Sequence, residues 1–154
     1  MKNTVSIGNC GEYFVAAELE RRGFTVAVPM SNVKDFDILA IHRETNRKIA
    51  VQVKTCQGKK GQWFLHQKCE ELYDDDTYYV FISLNELDPP EYYIVESKTI
   101  ARSAKEGYAL WIKQGKDGKR KETKMRKFTF CTSKYDNILG LKAEDFKDKW
   151  DKMK

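Results

Sequence analysis

"DFDILAIHRETNRKIAVQVKT", residues 35–55, holds two β-rich runs joined by a polar turn. Branched and apolar residues dominate FDILAIH and KIAVQVKT, and the Thr45-Asn46 pair between them suits a hairpin. Side chains alternate across a strand. In residues 49–54, Ile49, Val51 and Val53 therefore share one face, and Ala50, Gln52 and Lys54 share the other. The first face is apolar and belongs to a core. The second sets an amide and an ammonium two residues apart, about 7 Å along the strand at ~3.3 Å per residue. Paired as a hairpin, the runs put Asp37 at the open end of the first strand, across from the Gln52–Lys54 end of the second. A carboxylate, an amide oxygen and an ammonium then converge on one edge of a sheet.

Working outward, GNCGEYFVAAELERRGF has helical spacing in Phe14, Val15, Ala16, Ala17 and Leu19. Gly23 after Arg21 and Arg22 marks its C-terminus, and Glu12 falls on its first turn. FTVAVP is a short strand closed by Pro29. Downstream of the hairpin, CQGKKGQ breaks the pattern, WFLH is a short extended piece and QKCEELYDDD a short helix. TYYVFISL is the strongest strand; NELDPP is a loop and EYYIVES another strand. KTIARSAKEGYALWIKQ is helical, FTF an edge strand and AEDFKDKWDKMK a short terminal helix. This is an α/β chain forming one domain over 1–154, with a core of about 8–96 and a basic C-terminal extension of about 97–154.

The 154 residues are 41% hydrophobic and 33% charged, the balance of a soluble globular protein. No apolar run approaches a membrane span, and the N-terminus has no apolar signal core, so no membrane role and a cytoplasmic location are expected. Cys10, Cys56, Cys69 and Cys131 form no CxxC pair and stand at no zinc-site spacing from His42 or His66, so free thiols are expected. Residues 1–96 carry 11 Lys/Arg against 15 Asp/Glu, net −4; residues 97–154 carry 17 against 8, net +9. The excess peaks in KQGKDGKRKETKMRK, 113–127, where Lys113, Lys116, Lys119, Arg120, Lys121, Lys124, Arg126 and Lys127 face only Asp117 and Glu122. Such a segment, with Gly115 and Gly118, suits a mobile loop that tracks a nucleic-acid backbone, or else a solvated charged loop.

The convergent set has a chemical logic. A hard cation such as Mg²⁺ takes one or two carboxylates and otherwise waters or phosphate oxygens. It eases deprotonation of water and stabilises a leaving oxygen at phosphorus, while a neighbouring lysine orients water or offsets charge on the phosphate. Glu12 is the best further carboxylate.

These residues in this order, GEYFVAAELERRGFTVAVP, DFDILAI and KIAVQVKT, resemble the PD-(D/E)XK nuclease superfamily. They are especially similar to the branch of archaeal Holliday-junction resolvases and intron-encoded homing endonucleases. That branch has a Glu on the first helix, an Asp opening the second strand, and a Glu-or-Gln, any residue, Lys signature on the third. On this chain these are Glu12, Asp37, Gln52 and Lys54, within residues 8 to about 56. The resemblance implies a restriction-endonuclease-like core, a central mixed β-sheet flanked by helices. It also implies Mg²⁺-dependent hydrolysis of DNA, with Mn²⁺ able to substitute, and a homodimer or higher even oligomer. Asp37, the Gln52 oxygen, the Val53 carbonyl and Glu12 would hold metal, and Lys54 would position or activate water. Phe36 stands where the family often has Pro. Gln52 replaces the usual acidic ligand, lowering site charge and leaving both one-metal and two-metal occupancy open.

Other features have plainer readings. Asp35 is a turn residue and an alternative ligand to Asp37. His42 and His66 are ordinary histidines, and Asp74–Asp76 an acidic turn. Gln67 is a minor candidate near the site. Tyr78–Tyr79 and Tyr92–Tyr93 are strand aromatics, mostly core, with one of each pair facing outward. The rival functions are a non-cutting nucleic-acid-binding module of the same fold, and an immunity or accessory factor whose basic loop docks onto an acidic protein.

Overall fold

Asn3 begins the first helix: its Oδ1 accepts from the Val5 N–H at 3.0 Å, filling one of the open donors of the first turn. The computed structural model describes residues 3–29, 36–58, 61–115, 120–133 and 136–154. Helix α1 (Thr4–Arg21) starts earlier than its apolar spacing suggests, so Glu12 lies in the third turn and not the first. Its buried stripe is Gly11, Val15 and Leu19, four residues apart. Gly23, at φ +90°, follows the helix end and turns the chain into β1 (Phe24–Ala27).

Strands β2 (Ile38–His42) and β3 (Lys48–Gln57) form the expected antiparallel hairpin, with Ile38 opposite Val51 and Ile41 opposite Lys48. Asn46 takes the left-handed conformation in the turn, one that Asn tolerates better than most residues. β3 then runs parallel to β5 (Thr77–Asn85), and β5 pairs antiparallel with β6 (Asp88–Glu96). The resulting mixed sheet has the order β1-β2-β3-β5-β6. A second, two-stranded ribbon pairs β4 (Gln62–His66) with β7 (Met125–Thr129). Helix α2 (Ser97–Lys113) buries Ile100, Ala101 and Ala104.

The two sheet faces are covered by different elements. Val51, Val53, Val80, Ile82 and Ile94 pack with Val15 and Leu19 of α1 and with Trp150 and Met153. Tyr79, Phe81 and Val95 pack with Trp63 and Leu65 of β4, Phe128 of β7, and Ile100 and Ala104 of α2. Covering both faces explains why the first eight residues of β5 are all buried. It also corrects the tyrosine expectation. Tyr78, Tyr79 and Tyr92 are buried and Tyr93 half-buried, because each pair divides between two cores and not between core and solvent.

Two further expectations change. Pro89 and Pro90 belong to β6 and not to a loop; β6 is an edge strand, where the N–H that proline lacks need not face a neighbour. The terminal segment is two 3-10 turns, Ala143–Asp145 and Trp150–Met153, and not a helix. Asp148, at φ +54°, interrupts it, and Lys147 bridges Tyr93 instead. Among the described residues, no helix is long and apolar enough to cross a membrane.

Candidate active site

The hairpin register carries one step past Ile38–Val51, bringing Asp37 beside Gln52. The Asp37 N–H donates to the Val51 carbonyl at 2.9 Å, and the Val53 N–H donates to Asp37 Oδ2 at 2.7 Å. Lys54 Nζ lies 3.8 Å from the same Oδ2, and both side chains are roughly a quarter to a third exposed (26% and 30%). Asp37 is thus fixed by backbone on one side while its carboxylate meets solvent on the other. Gln52 and Lys54 are half-buried and alternate with the buried Val51 and Val53. N–H and C=O of one strand residue point to the same edge, so the Val53 carbonyl faces the Asp37 side of β3 as its N–H does.

Glu12 comes from the helix packed on the other sheet face, yet it feels both charges. Burial raises its pKa above the ordinary glutamate value, the Asp37 carboxylate raises it further, and Lys54 partly offsets them. A carboxylate whose charge is disfavoured by burial and by a second carboxylate is what a bound cation would relieve. Among the described residues no cluster of three or more His, Cys, Asp or Glu side chains is placed to bind a metal. The candidate donors are two carboxylates, Asp37 and Glu12, plus neutral oxygens from Gln52 and Val53. That set fits Mg²⁺, which binds through one or two carboxylates and keeps several waters.

Gly11 sets the position of Glu12. A Cβ built on it would lie 2.0 Å from Thr55 Oγ1 and 3.1 Å from Ile82 Cγ2, so only glycine lets α1 approach β3 and β5 this closely. Tyr79 and Cys69, expected from the sequence to be a strand aromatic and a free thiol, lie close to these residues. Tyr79 pairs with Gln52 across β3 and β5, and its hydroxyl pKa is raised by burial, then by Cys69 and Asp37. Burial, with Glu70 beside it, pushes the Cys69 thiol up to about 12, which keeps it protonated and unreactive. The signal was available for Tyr79: a parallel register would carry the Gln52 face onto alternate residues of TYYVFISL.

The basic segment is not one loop. Lys113 ends α2, Lys121 and Lys124 are exposed before β7, and Lys127 is exposed on β7; Lys116, Lys119 and Asp117 lie outside the described residues. Arg120 is half-buried with its guanidinium 4.7 Å above the Trp111 ring. Arg126 stands apart. It points inward and is 7% exposed, because strand alternation turns it with Phe128 toward the core. It is ion-paired to Glu70, donates to the Thr123 carbonyl at 2.7 Å and lies 3.4 Å over Tyr108. Its Nε and Nη1 are taken up by Glu70 and by the Thr123 and Met125 carbonyls. Asp35 also lies outside the described residues. His42 holds the hairpin turn through Thr45, and His66 caps the 3-10 turn Gln67–Glu71. Gln67 opens that turn, its N–H bonded to the Lys124 carbonyl at 2.8 Å. Asp76 pairs with Arg47 and Asp75 with Lys98, so the acidic turn is an ion-paired corner. No disulfide joins any of the four cysteines.

A family model described as PD-(D/E)XK endonuclease matches residues 2–130. Among solved structures, the bacterial homing endonuclease I-Ssp6803I superposes with a TM-score of 0.56 at 12% identity, over 98% of this chain and 91% of that one. The Holliday junction resolvase Hjc of Archaeoglobus fulgidus matches at a TM-score of 0.45 and 14% identity, over 79% of this chain and 83% of its own. No curated protein matches. The restriction-endonuclease-like sheet expected from the sequence is the fold observed.

Proposed function

This chain belongs to the PD-(D/E)XK endonuclease family, and from that premise we propose that it is a divalent-cation-dependent endodeoxyribonuclease acting on branched or structured DNA. The observation that carries the reading is the approach of Lys54 Nζ to Asp37 Oδ2, with Glu12 in the field of both. A bound Mg²⁺, or Mn²⁺ in its place, would supply Lewis-acid charge at the scissile phosphate and make water a better nucleophile. Asp37, Glu12, the Gln52 amide oxygen and the Val53 carbonyl would hold it. Lys54 would hold the attacking water in line or offset charge growing on the phosphate oxygens. Lys113, Lys121 and Lys124, joined by Lys116 and Lys119, would follow the sugar–phosphate backbone. Cysteines outside disulfides suit a cytoplasmic protein. A homodimer would give each strand its own site; exposed Val5, Tyr13 and Phe14 on α1 favour such a contact, and sedimentation velocity would read it.

The test is incubation with plasmid and with branched DNA, in Mg²⁺, in Mn²⁺ and in chelator. Cleavage should require the cation and vanish in Lys54→Ala and Asp37→Ala while far-UV circular dichroism stays native. Gln52→Glu should keep or raise activity, since another carboxylate tightens cation binding. Parent-level cleavage by Lys54→Ala would show the site to be assigned wrongly. One observation favours a second reading, a module that binds DNA without cutting: among the described residues the candidate site offers two carboxylates, and Gln52 is neutral. DNA binding without cleavage in either cation would select it.

A further inference from the structure

A groove of about 530 Å³ opens between the C-terminal half of α2 and the β4–β7 ribbon, away from the side chains described above as metal ligands. Its size falls in the range of pockets that hold small ring systems. Its walls combine aromatic faces with fixed cations. Tyr108 and Trp111 stack at 5.7 Å with their planes 20° apart. Arg126 lies over Tyr108 and Arg120 over Trp111, so four side chains make a continuous run of face contacts. The run is held in place: the Tyr108 hydroxyl accepts from the Thr123 N–H at 2.9 Å, and Arg126 is anchored by Glu70. The stem of Arg120 rests on Gly115, where a Cβ would come within 2.6 Å of it.

This wall is open to solvent. Phe64 is 61% exposed and Trp111 38%, and both line the groove. Apolar surface gathered in one cleft marks a binding site more often than scattered exposure does. The charge around it is basic: Arg126 and Lys127 line it, Asp136 is the single carboxylate among its described lining residues, and Lys113 and Lys124 adjoin lining residues in the sequence, with Lys121 two residues before Thr123. Aromatic faces and guanidinium planes flanked by lysines match one chemistry, a flat nucleobase with phosphates on either side. Bases in a duplex show only their edges, because their faces are used in stacking. A face-to-face platform therefore selects bases that are unpaired.

We propose that this groove receives an unpaired base of the bound nucleic-acid strand, which displaces the Arg120 guanidinium from the face of Trp111 and stacks there, its phosphates held by Arg120 and the neighbouring lysines. The inference rests on the nucleic-acid reading above and adds to it the single-stranded character of the segment bound. Trp111 reports on it directly, since Trp63 and Trp150 are only 2% and 3% exposed. The native protein, in chelator, is titrated with a single-stranded oligothymidylate of about a dozen nucleotides, the length of an ordinary single-strand site, and with a duplex of equal length. Tryptophan fluorescence and the anisotropy of labelled DNA are read together. The single strand should quench Trp111 emission and the duplex should not. Trp111→Leu should lower the ratio of single-strand to duplex affinity by about tenfold, the effect of losing one stacking side chain. Single-strand binding that leaves the fluorescence of the native protein unchanged, or an unchanged affinity ratio in the variant, overturns the groove assignment and leaves the nuclease reading standing. No binding of either DNA overturns both.

Discussion

Glu12 is held where its own charge is disfavoured, and stability should show it. Its folded pKa is raised, chiefly by burial and then by Asp37, so the folded state takes up the proton more readily than the unfolded chain. The stability this group contributes is then full below its unfolded pKa and lost as pH rises through the raised folded value. Glu12→Gln, with nearly the shape of protonated glutamate, should therefore unfold at higher urea than the parent at neutral pH in chelator. The gain should shrink toward zero as pH falls through the Glu12 pKa, and cation-dependent cleavage should be lost. An equal or lower urea midpoint at neutral pH would remove the charge conflict. At this scale much was legible: strand alternation in KIAVQVKT sets Gln52 and Lys54 on one face, and the hairpin brings Asp37 to them. The third-turn position of Glu12 was not, because it depends on the Asn3 cap, and Thr4–Ile7 carry little apolar spacing. Arg126 was hidden too. A charge count cannot tell an exposed arginine from one that alternation turns inward toward Glu70.

Between elements, the contact that matters for the site is α1 on β3. Gly11→Ala should push the helix off Thr55 and carry Glu12 with it. Overpacking of this kind costs about 1–3 kcal/mol, readable by urea denaturation, and cleavage should fall further than that loss explains. Thr55 Oγ1, the nearest atom, is buried with no hydrogen-bond partner. Thr55→Ala should therefore be mild alone and should restore much of what Gly11→Ala loses; failure of the double variant to recover would mean that the helix is not held at this point. Most elements were visible in local pattern, from the β2–β3 hairpin to the apolar run of β5 and the helical spacing of α2. Those that were not depend on distant neighbours. Pro89 and Pro90 are admitted to β6 because it is an edge, and Trp150 and Met153 are drawn into 3-10 geometry by the core beneath α1. The pairing of β4 with β7 joins segments about sixty residues apart, which no local window contains.

Across the whole molecule, charge and chemistry are divided. The half holding the candidate metal ligands is net −4, and the half carrying the groove is net +9. Affinity for duplex DNA should therefore follow the basic half, with log affinity falling against log salt by about 0.9 per phosphate neutralised. Replacing Lys119, Arg120 and Lys121 by Ala should flatten that slope by up to about three contacts' worth, while single-turnover cleavage at saturating enzyme stays nearly constant. An unchanged slope would mean that the segment has no polyanion partner. The β4–β7 ribbon gives this division a history as well as a geometry. Because the strands themselves hold His66 against Met125, their pairing does not depend on the length of sequence that joins α2 to β7. Doubling the length of such a connection costs only about 0.6 kcal/mol in closure entropy. Changes of length there should cost folding little, so descendants of this chain could vary what this stretch of sequence meets while the candidate site on β2 and β3 is inherited intact.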